Sequence, residues 1–185
     1  MNPNLPVLLL PGWQNSLQGH WQTEWEQQLG YQRVQQHDWL HPRRGDWSAR
    51  LDEVIADAPG PVLLAAHSLG CILTAWWAAH SRHTGKVRGA LLVAPGDVEQ
   101  PELAAQIPGW TPIARQRLPF AATLVASQND PYCRFARAAE LARDWGAALV
   151  DAGACGHLNA ESGLGLWPQG QAWLQALASP PTLTT

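Results

Sequence analysis

The sequence is poor in charge. Charged residues make up 15% of its 185 residues, the formal net charge is −3, and there is no cluster of Lys and Arg. With 46% hydrophobic residues, this composition is not typical of a disordered segment or a coiled coil. A general nucleic-acid-binding protein needs many cations to neutralise phosphates, so we expect no nucleic-acid partner.

Cysteine is scarce, and long apolar runs are missing. Cys71, Cys133 and Cys155 include no Cys-x-x-Cys pair, which argues against structural zinc and a disulfide framework; we expect no metal and no organic cofactor. No stretch approaches the roughly 20 apolar residues of a membrane span. The first apolar run carries no positive charge before it and stops at Pro11-Gly12. We therefore expect no signal peptide, no membrane partner and a cytoplasmic location.

Short apolar runs alternate with segments of helical periodicity. The runs that predict buried strands are 6–10, 62–66, 90–94, 122–127 and 148–152, with a weaker strand at 31–36. The predicted helices are 21–29, 46–57 with Asp46 as N-cap, 69–81, 134–145 and 168–178. This alternation predicts an α/β fold over 1–178, a mostly parallel sheet with helices on both faces. The Pro-rich stretch 97–120 is interpreted as a loop, and the tail, 179–185, is expected to be disordered.

The strongest local signal is Ala66-His67-Ser68-Leu69-Gly70, between a predicted buried strand and an apolar helix. This setting is typical of the nucleophile elbow, a sharp turn that needs small residues two positions before and after the serine. Such a turn lifts the Ser68 hydroxyl clear of the sheet and directs the following N–H groups toward the site. The alternative is that Ser68 serves only as a helix N-cap. The strand–turn–helix setting favours the nucleophile.

A serine hydroxyl needs a base, and seven histidines compete for that role. His157 follows the last predicted strand, at the carboxyl edge of the sheet where ligands of α/β proteins bind. His80 and His83 lie at the far end of the helix after Ser68, where a solvated or helix-terminal role is expected. His67 is interpreted as a packing residue or a support for the site.

Two carboxylates are candidates for orienting His157. Asp130 follows the predicted strand 122–127, and Asp97 follows the strand 90–94. The order serine, aspartate, histidine suits either. We favour Asp130 because the strand immediately before the histidine-bearing strand usually supplies the acid in such sheets.

An oxyanion requires two preorganised N–H donors. We expect one from Leu69, directly after the serine, and one from Trp13, in the loop after the first strand, where Gly12 permits close approach of the backbone. Gly12 and Trp110 are also predicted to line a substrate pocket. The other tryptophans, several at helical spacing, are expected mostly in the core. No cysteine occupies the elbow, so a thiol nucleophile is not expected.

Several blocks of the sequence, spread over residues 6–177, resemble a known family. They are Pro11-Gly-Trp, His20-Trp-Gln, Trp25-Glu, Trp39, Pro42, Asp46-Trp, His67-Ser-Leu-Gly-Cys, Leu92-Val-Ala-Pro, Ser127, Asp130-Pro-Tyr and Gly156 to Pro168. They are similar to the small α/β-hydrolase serine hydrolases grouped with retinoblastoma-binding protein nine and its bacterial relatives.

The resemblance implies a single-domain α/β-hydrolase fold without a large lid. It also implies a triad of Ser68, Asp130 and His157. The family pattern often has Gly where this chain has Ala66. The chain lacks the Leu-x-Cys-x-Glu segment that links the mammalian member to retinoblastoma binding, so that partner is not expected.

These features together predict a serine hydrolase that cleaves a small ester, amide or thioester through an acyl-enzyme. The expected partner is a small-molecule substrate, and no oligomeric state is predicted. One alternative is a non-enzymatic interaction protein that keeps the fold and uses a Trp-rich surface. Another is acyl transfer to an alcohol or amine instead of water.

Overall fold

The computed structural model describes residues 5–178; the tail that was predicted to be disordered lies outside the described residues. Within this range the strands form one six-stranded sheet in the order β2-β1-β3-β4-β5-β6, and each pairing is parallel. The strands are β1 (Val7–Leu10), β2 (Gln32–Arg33), β3 (Val62–His67), β4 (Val87–Val93), β5 (Ala121–Ala126) and β6 (Ala148–Asp151). The predicted parallel α/β architecture is confirmed.

The helices cover both faces of the sheet. They are α1 (Trp21–Leu29), α2 (Arg44–Asp57), α3 (Leu69–His80), α4 (Pro101–Gln106), α5 (Phe135–Trp145) and α6 (Pro168–Ala176). Buried residues of α2, α3 and α5 share one hydrophobic core, and those of α1 and α6 share the other. Adjacent strand residues alternate between the cores: Leu8 joins the first and Leu9 the second. Because both faces are covered, β3 is buried along its whole length, as a continuous apolar run requires.

Three local predictions differ from the structure. Helix α2 begins at Arg44 with Arg43 as N-cap, so Asp46 lies in the first turn, where its charge faces the positive end of the helix dipole. The weak strand 31–36 contracts to Gln32–Arg33 because this edge strand pairs only with β1. The stretch 97–120 contains the short helix α4, which has a proline in its first turn.

Trp110 does not line a pocket, contrary to the prediction. Its side chain is fully buried, and its ring packs edge-on against Trp47 with centroids 5.5 Å apart. Its indole N–H donates to the carbonyl of Pro42 at 2.9 Å. The buried ring therefore has both an apolar environment and a partner for its one polar atom, which is how tryptophan is usually accommodated in a core.

Most of the tryptophans are buried in the core, as expected. The fully buried tryptophans are Trp21, Trp25, Trp47, Trp77, Trp110 and Trp145. Among residues 5–178, no helix combines the length and apolar character needed to cross a bilayer.

Candidate active site

Ser68 stands at the turn between β3 and α3, at the carboxyl edge of the sheet. Its φ of 53° and ψ of −117° are rarely adopted by a residue other than glycine. The strain is held in place because the Ser68 N–H donates to the carbonyl of Val93 at 3.0 Å. The side chain makes no capping hydrogen bond to α3. The N-cap alternative therefore does not account for this hydroxyl, which points elsewhere.

The small residue after the turn is required by a close approach of backbone. A Cβ atom added to Gly70 would collide with the carbonyl oxygen of Leu10 and lie 3.0 Å from that of Pro11. The first turn of α3 therefore packs directly on the end of β1. This contact brings the loop after β1 next to Ser68.

The structure brings Ser68, His157 and Asp130 together. His157 Nε2 lies 2.9 Å from Ser68 Oγ. On the other edge of the ring, His157 Nδ1 lies 2.9 Å from each carboxylate oxygen of Asp130. The side chains of His157 and Asp130 are 9% and 2% exposed, so water competes little for these hydrogen bonds. A hydroxyl, an imidazole and a carboxylate in this order form the arrangement that activates a serine.

Asp97, the alternative candidate for orienting His157, contacts Arg137 instead. One of its carboxylate oxygens lies 3.4 Å from Nε of Arg137 in α5, and the other accepts the N–H of Glu99 at 3.3 Å. Asp130 instead accepts the N–H of Tyr132 at 2.9 Å while facing the imidazole. The two carboxylates thus follow neighbouring strands but serve different partners.

The loop that carries His157 is tied to the loop after β5. Asn129 Oδ1 accepts the N–H of Gly156 at 2.7 Å, and Ser127 Oγ accepts the N–H of Cys155 at 2.9 Å. These bonds fix the distance between the Asp130 and His157 loops. Neither Ser127 nor Asn129 was assigned a role from the sequence, although both stand in the segment that precedes Asp130.

Two glycines, Gly12 and Gly96, lie close to Ser68. A Cβ atom on Gly12 would lie 2.8 Å from Ser68 Cβ and 3.3 Å from the nitrogen of Leu69. A Cβ atom on Gly96, a position that sequence reasoning missed, would lie 3.4 Å from Ser68 Oγ. Gly96 lies in the loop after β4, so its position could have been inferred from the strand-end rule. Trp13 follows Gly12 and is anchored by its indole N–H, which donates to Leu40 at 3.0 Å.

Ser68 opens into a cavity of about 580 Å³. Its larger apolar lining residues include Trp13 and Leu17 from the loop after β1 and Val98, Leu103 and Ile107 from the segment around α4. The remaining lining residues are Gly12, Gln14, Asn15, His20, His67, Ser68, Leu69, Gly96, Gln106, Tyr132, His157, Asn159, Ala160 and Glu161. Thus the predicted residues Gly12, Trp13 and Leu69 all border this cavity, and Trp110 does not.

A family model described as serine hydrolase matches residues 7–176 of the chain. The chain belongs to the serine hydrolase family. Among solved structures, a YdeN-like hydrolase from Pectobacterium atrosepticum is 30% identical with a TM-score of 0.82, covering 94% of this chain and 90% of that one. No curated protein matches the chain.

More distant structures share the fold of this serine hydrolase family member. The ydeN gene product of B. subtilis is 22% identical with a TM-score of 0.77, and the match covers 96% of this chain and 100% of that one. The carboxylesterase of Bacillus cereus is 15% identical with a TM-score of 0.63, covering 96% and 90% of the two chains. These likenesses support the α/β-hydrolase fold, consistent with the family.

Two of the three thiols of this serine hydrolase family member, those of Cys71 and Cys133, are poor candidates for the nucleophile. Burial raises the pKa of Cys71 far above its ordinary value, and burial with the nearby carboxylate of Asp97 raises the pKa of Cys133 to about 12. Both thiols are therefore protonated at neutral pH, and a protonated thiol is a weak nucleophile.

Within residues 5–178, there is no group of three or more His, Cys, Asp or Glu side chains that could bind a metal ion.

Proposed function

We propose that the protein hydrolyses small esters through an acyl-enzyme formed on Ser68. The observation that supports this most directly is the hydrogen-bonded line from Ser68 Oγ through the His157 ring to Asp130, with each step at 2.9 Å. Within the serine hydrolase family, we place the chain in the group of retinoblastoma-binding protein nine because of the sequence blocks it shares with that group. The cytoplasmic location stays a prediction.

In the first half-reaction, Ser68 Oγ attacks the ester carbonyl while His157 Nε2 takes the hydroxyl proton. Asp130 fixes the tautomer of His157, with the ring proton on Nδ1, and stabilises the imidazolium that forms. We assign the N–H groups of Leu69 and Trp13 to the oxyanion, since both residues border the cavity at Ser68. As the C–O bond breaks, His157 protonates the departing alcohol.

In the second half-reaction, water replaces the alcohol. His157 takes a proton from the water as its oxygen attacks the acyl carbon. The intermediate collapses, the bond to Ser68 Oγ breaks, and His157 returns a proton to that oxygen. The products are a carboxylic acid and the regenerated serine.

A fluorophosphonate probe tests this proposal against the interaction-protein alternative. The native protein should react with the probe, and peptide mapping should find the adduct on Ser68, because only an activated serine attacks the phosphorus readily. Heat-denatured protein is the control and should stay unlabelled. If the native protein does not react with the probe, the result would support the interaction-protein alternative.

Product analysis with added alcohol or amine distinguishes hydrolysis from acyl transfer.

The charges around the cavity favour an uncharged acyl group. Of the described residues that line it, none is Lys or Arg, whereas Glu161 places a carboxylate at its exposed rim. An anionic acyl chain would find no cation there and would be repelled by Glu161. We therefore propose that the preferred esters carry a neutral, apolar acyl group in contact with Val98, Leu103 and Ile107.

Two esters of similar length test the charge preference. We expect kcat/KM for p-nitrophenyl butyrate to exceed that for the anionic p-nitrophenyl hemisuccinate by about tenfold or more. The hemisuccinate carboxylate loses water without gaining a cation and is repelled by Glu161, and these effects together cost roughly 1 kcal/mol or more. Glu161→Gln should narrow this ratio by about 3- to 5-fold. Glu102→Gln, the same change on α4 outside the cavity lining, is the matched control. Equal rates for both esters would contradict the proposed preference.

A further inference from the structure

Two buried histidines lie beside the site, and the reaction steps above do not use them. His67 precedes Ser68 at the end of β3, and His20 stands immediately before α1; they are 5% and 4% exposed. Their rings meet edge-on with centroids 4.6 Å apart. The ring of His67 also lies 4.8 Å from that of His157. Burying two imidazoles next to His157 is costly unless their ring nitrogens are hydrogen-bonded.

The two rings join one backbone N–H to one backbone carbonyl. His20 Nδ1 accepts the N–H of Gln22 at 3.1 Å, in the manner of a helix N-cap. His20 Nε2 lies 3.3 Å from His67 Nδ1. His67 Nε2 lies 2.8 Å from the backbone oxygen of His157. These three contacts form an unbroken chain of hydrogen bonds from the start of α1 to the backbone of His157, the proposed base.

The two ends of this chain determine where every proton is. A backbone N–H can only donate, so His20 Nδ1 is unprotonated and the proton of a neutral His20 is on Nε2. That N–H donates to His67 Nδ1, which leaves the proton of His67 on Nε2. There it donates to the His157 carbonyl, which can only accept. One proton per ring satisfies every contact in the chain.

The surroundings of the pair oppose a second proton on either ring. A charged His20 would face the Gln22 N–H with another N–H, and a charged His67 would do the same to His20. Burial, with Arg33 and then His157 nearby, lowers the pKa of His20 to about 3. Burial, together with His20 and His157, lowers the pKa of His67 well below its ordinary value. Both histidine rings of this hydrogen-bonded chain are therefore uncharged at neutral pH.

The carbonyl held by His67 belongs to a backbone segment fixed on both sides. The next carbonyl, that of Leu158, accepts the indole N–H of Trp21 at 3.0 Å. On the opposite side, the N–H of Gly156 is held by Asn129. Residues 156–158 are thus fixed both by the start of α1 and by the loop after β5, with the His157 ring directed between Ser68 and Asp130.

We propose that His67 is a positioning residue that holds His157 through its backbone carbonyl, and that His20 supports it by fixing the tautomer that can donate. This inference rests on the proposed hydrolase function. The absence of charge matters because a cation in the place of His67 would oppose the imidazolium that His157 forms during the reaction. A neutral donor fixes the backbone without that penalty.

Substitutions at His67 separate hydrogen bonding from packing. His67→Met keeps a buried side chain of similar size but removes the donor. We expect it to lower kcat on p-nitrophenyl butyrate by about 10- to 100-fold with KM changed less than about threefold, because misplacement of a catalytic group by about 1 Å has effects of this size. His67→Gln, whose amide N–H can reach the same carbonyl, should recover most of kcat. His80→Met, at the exposed end of α3, is the control for losing a histidine and should leave both parameters as they are.

His20→Asn tests the tautomer argument. Asparagine is a good N-cap, so α1 keeps its start, but the donor to His67 is lost. His67 can then hold its proton on either nitrogen, and only one of the two forms donates to His157. We expect a loss in kcat of about 2- to 10-fold, smaller than for His67→Met.

A spectroscopic measurement tests the chain without relying on activity. Imidazole ¹⁵N shifts of the native protein at pH 6–8 should show His20 and His67 neutral, both with the proton on Nε2. A doubly protonated ring, or a proton on Nδ1 of His67, would overturn the proposal. So would full kcat in His67→Met while Ser68→Ala is inactive. If Ser68→Ala is itself active, the proposed function fails instead, whereas the shifts still report on the chain.

Discussion

Replacing Ser68 with alanine is expected to reduce kcat on p-nitrophenyl butyrate by about 10³- to 10⁶-fold, the range found when the nucleophile of a serine hydrolase is removed. The reason is chemical: without Oγ, no acyl-enzyme forms, and His157 has no hydroxyl proton to accept. The loss should also abolish labelling by the fluorophosphonate. Steady-state kinetics and intact-protein mass measure both effects.

The structure suggests how to separate this loss from misfolding. Alanine removes one atom at a turn whose backbone is held by neighbouring strands, so the free energy of unfolding in urea should change little. Ser48→Ala, in α2 and outside the cavity, is the matched control and should keep its activity. His157→Gln should be about as inactive as Ser68→Ala, and the double variant no worse, because the two groups act as a unit. Hydrolysis at the native rate by Ser68→Ala would refute the assignment of the nucleophile.

Asp130→Asn is expected to lower kcat by about 10³- to 10⁴-fold. The carboxylate accepts the Nδ1 proton of His157 through both oxygens, each at 2.9 Å. An amide that turns its NH₂ toward the ring would favour the tautomer with the proton on Nε2, which cannot accept from Ser68. It would also leave the imidazolium without a counter-charge. Both effects act on the chemical step, so kcat should fall much more than KM rises.

Asp97→Asn is the matched comparison for this prediction. The same change removes a charge from the loop after the neighbouring strand, where the carboxylate faces Arg137 and not the imidazole. We expect activity within about threefold of the native protein and a loss of stability below about 1 kcal/mol, as for partly exposed ion pairs. If Asp97→Asn were the inactive variant and Asp130→Asn the active one, the acid would have to be reassigned.

The location of the site follows from sequence patterns that have a simple geometric basis. Alternating apolar runs and helical segments predict a parallel sheet, and the carboxyl ends of parallel strands meet at one edge. The loops that carry Ser68, Asp130 and His157 each follow such a strand, so their convergence could be inferred without coordinates. The structure places the His157 ring within hydrogen-bonding distance of both Ser68 and Asp130.

Other features depend on how loops pack. Asp97 and Asp130 each follow the end of a strand, yet Asp97 contacts Arg137 in α5 whereas Asp130 contacts His157. Trp110 is in a segment that looks like a loop in the sequence, yet that segment folds back and buries the ring against α2. Propensity and periodicity describe residues that are close along the chain, and they carry no information about such contacts.

The sequence by itself determined the parallel α/β architecture, and it predicted the strained turn at Ser68, His157 after the last strand and two candidate carboxylates, Asp97 and Asp130. These follow from hydrophobic periodicity and from the small residues that a tight turn requires. The tertiary structure alone decided which carboxylate faces His157, which residues border the cavity, and that His20 and His67 form a chain to the His157 carbonyl. Hydrogen bonds depend on distances of a few tenths of an ångström, and those distances are set by packing between residues far apart in the sequence.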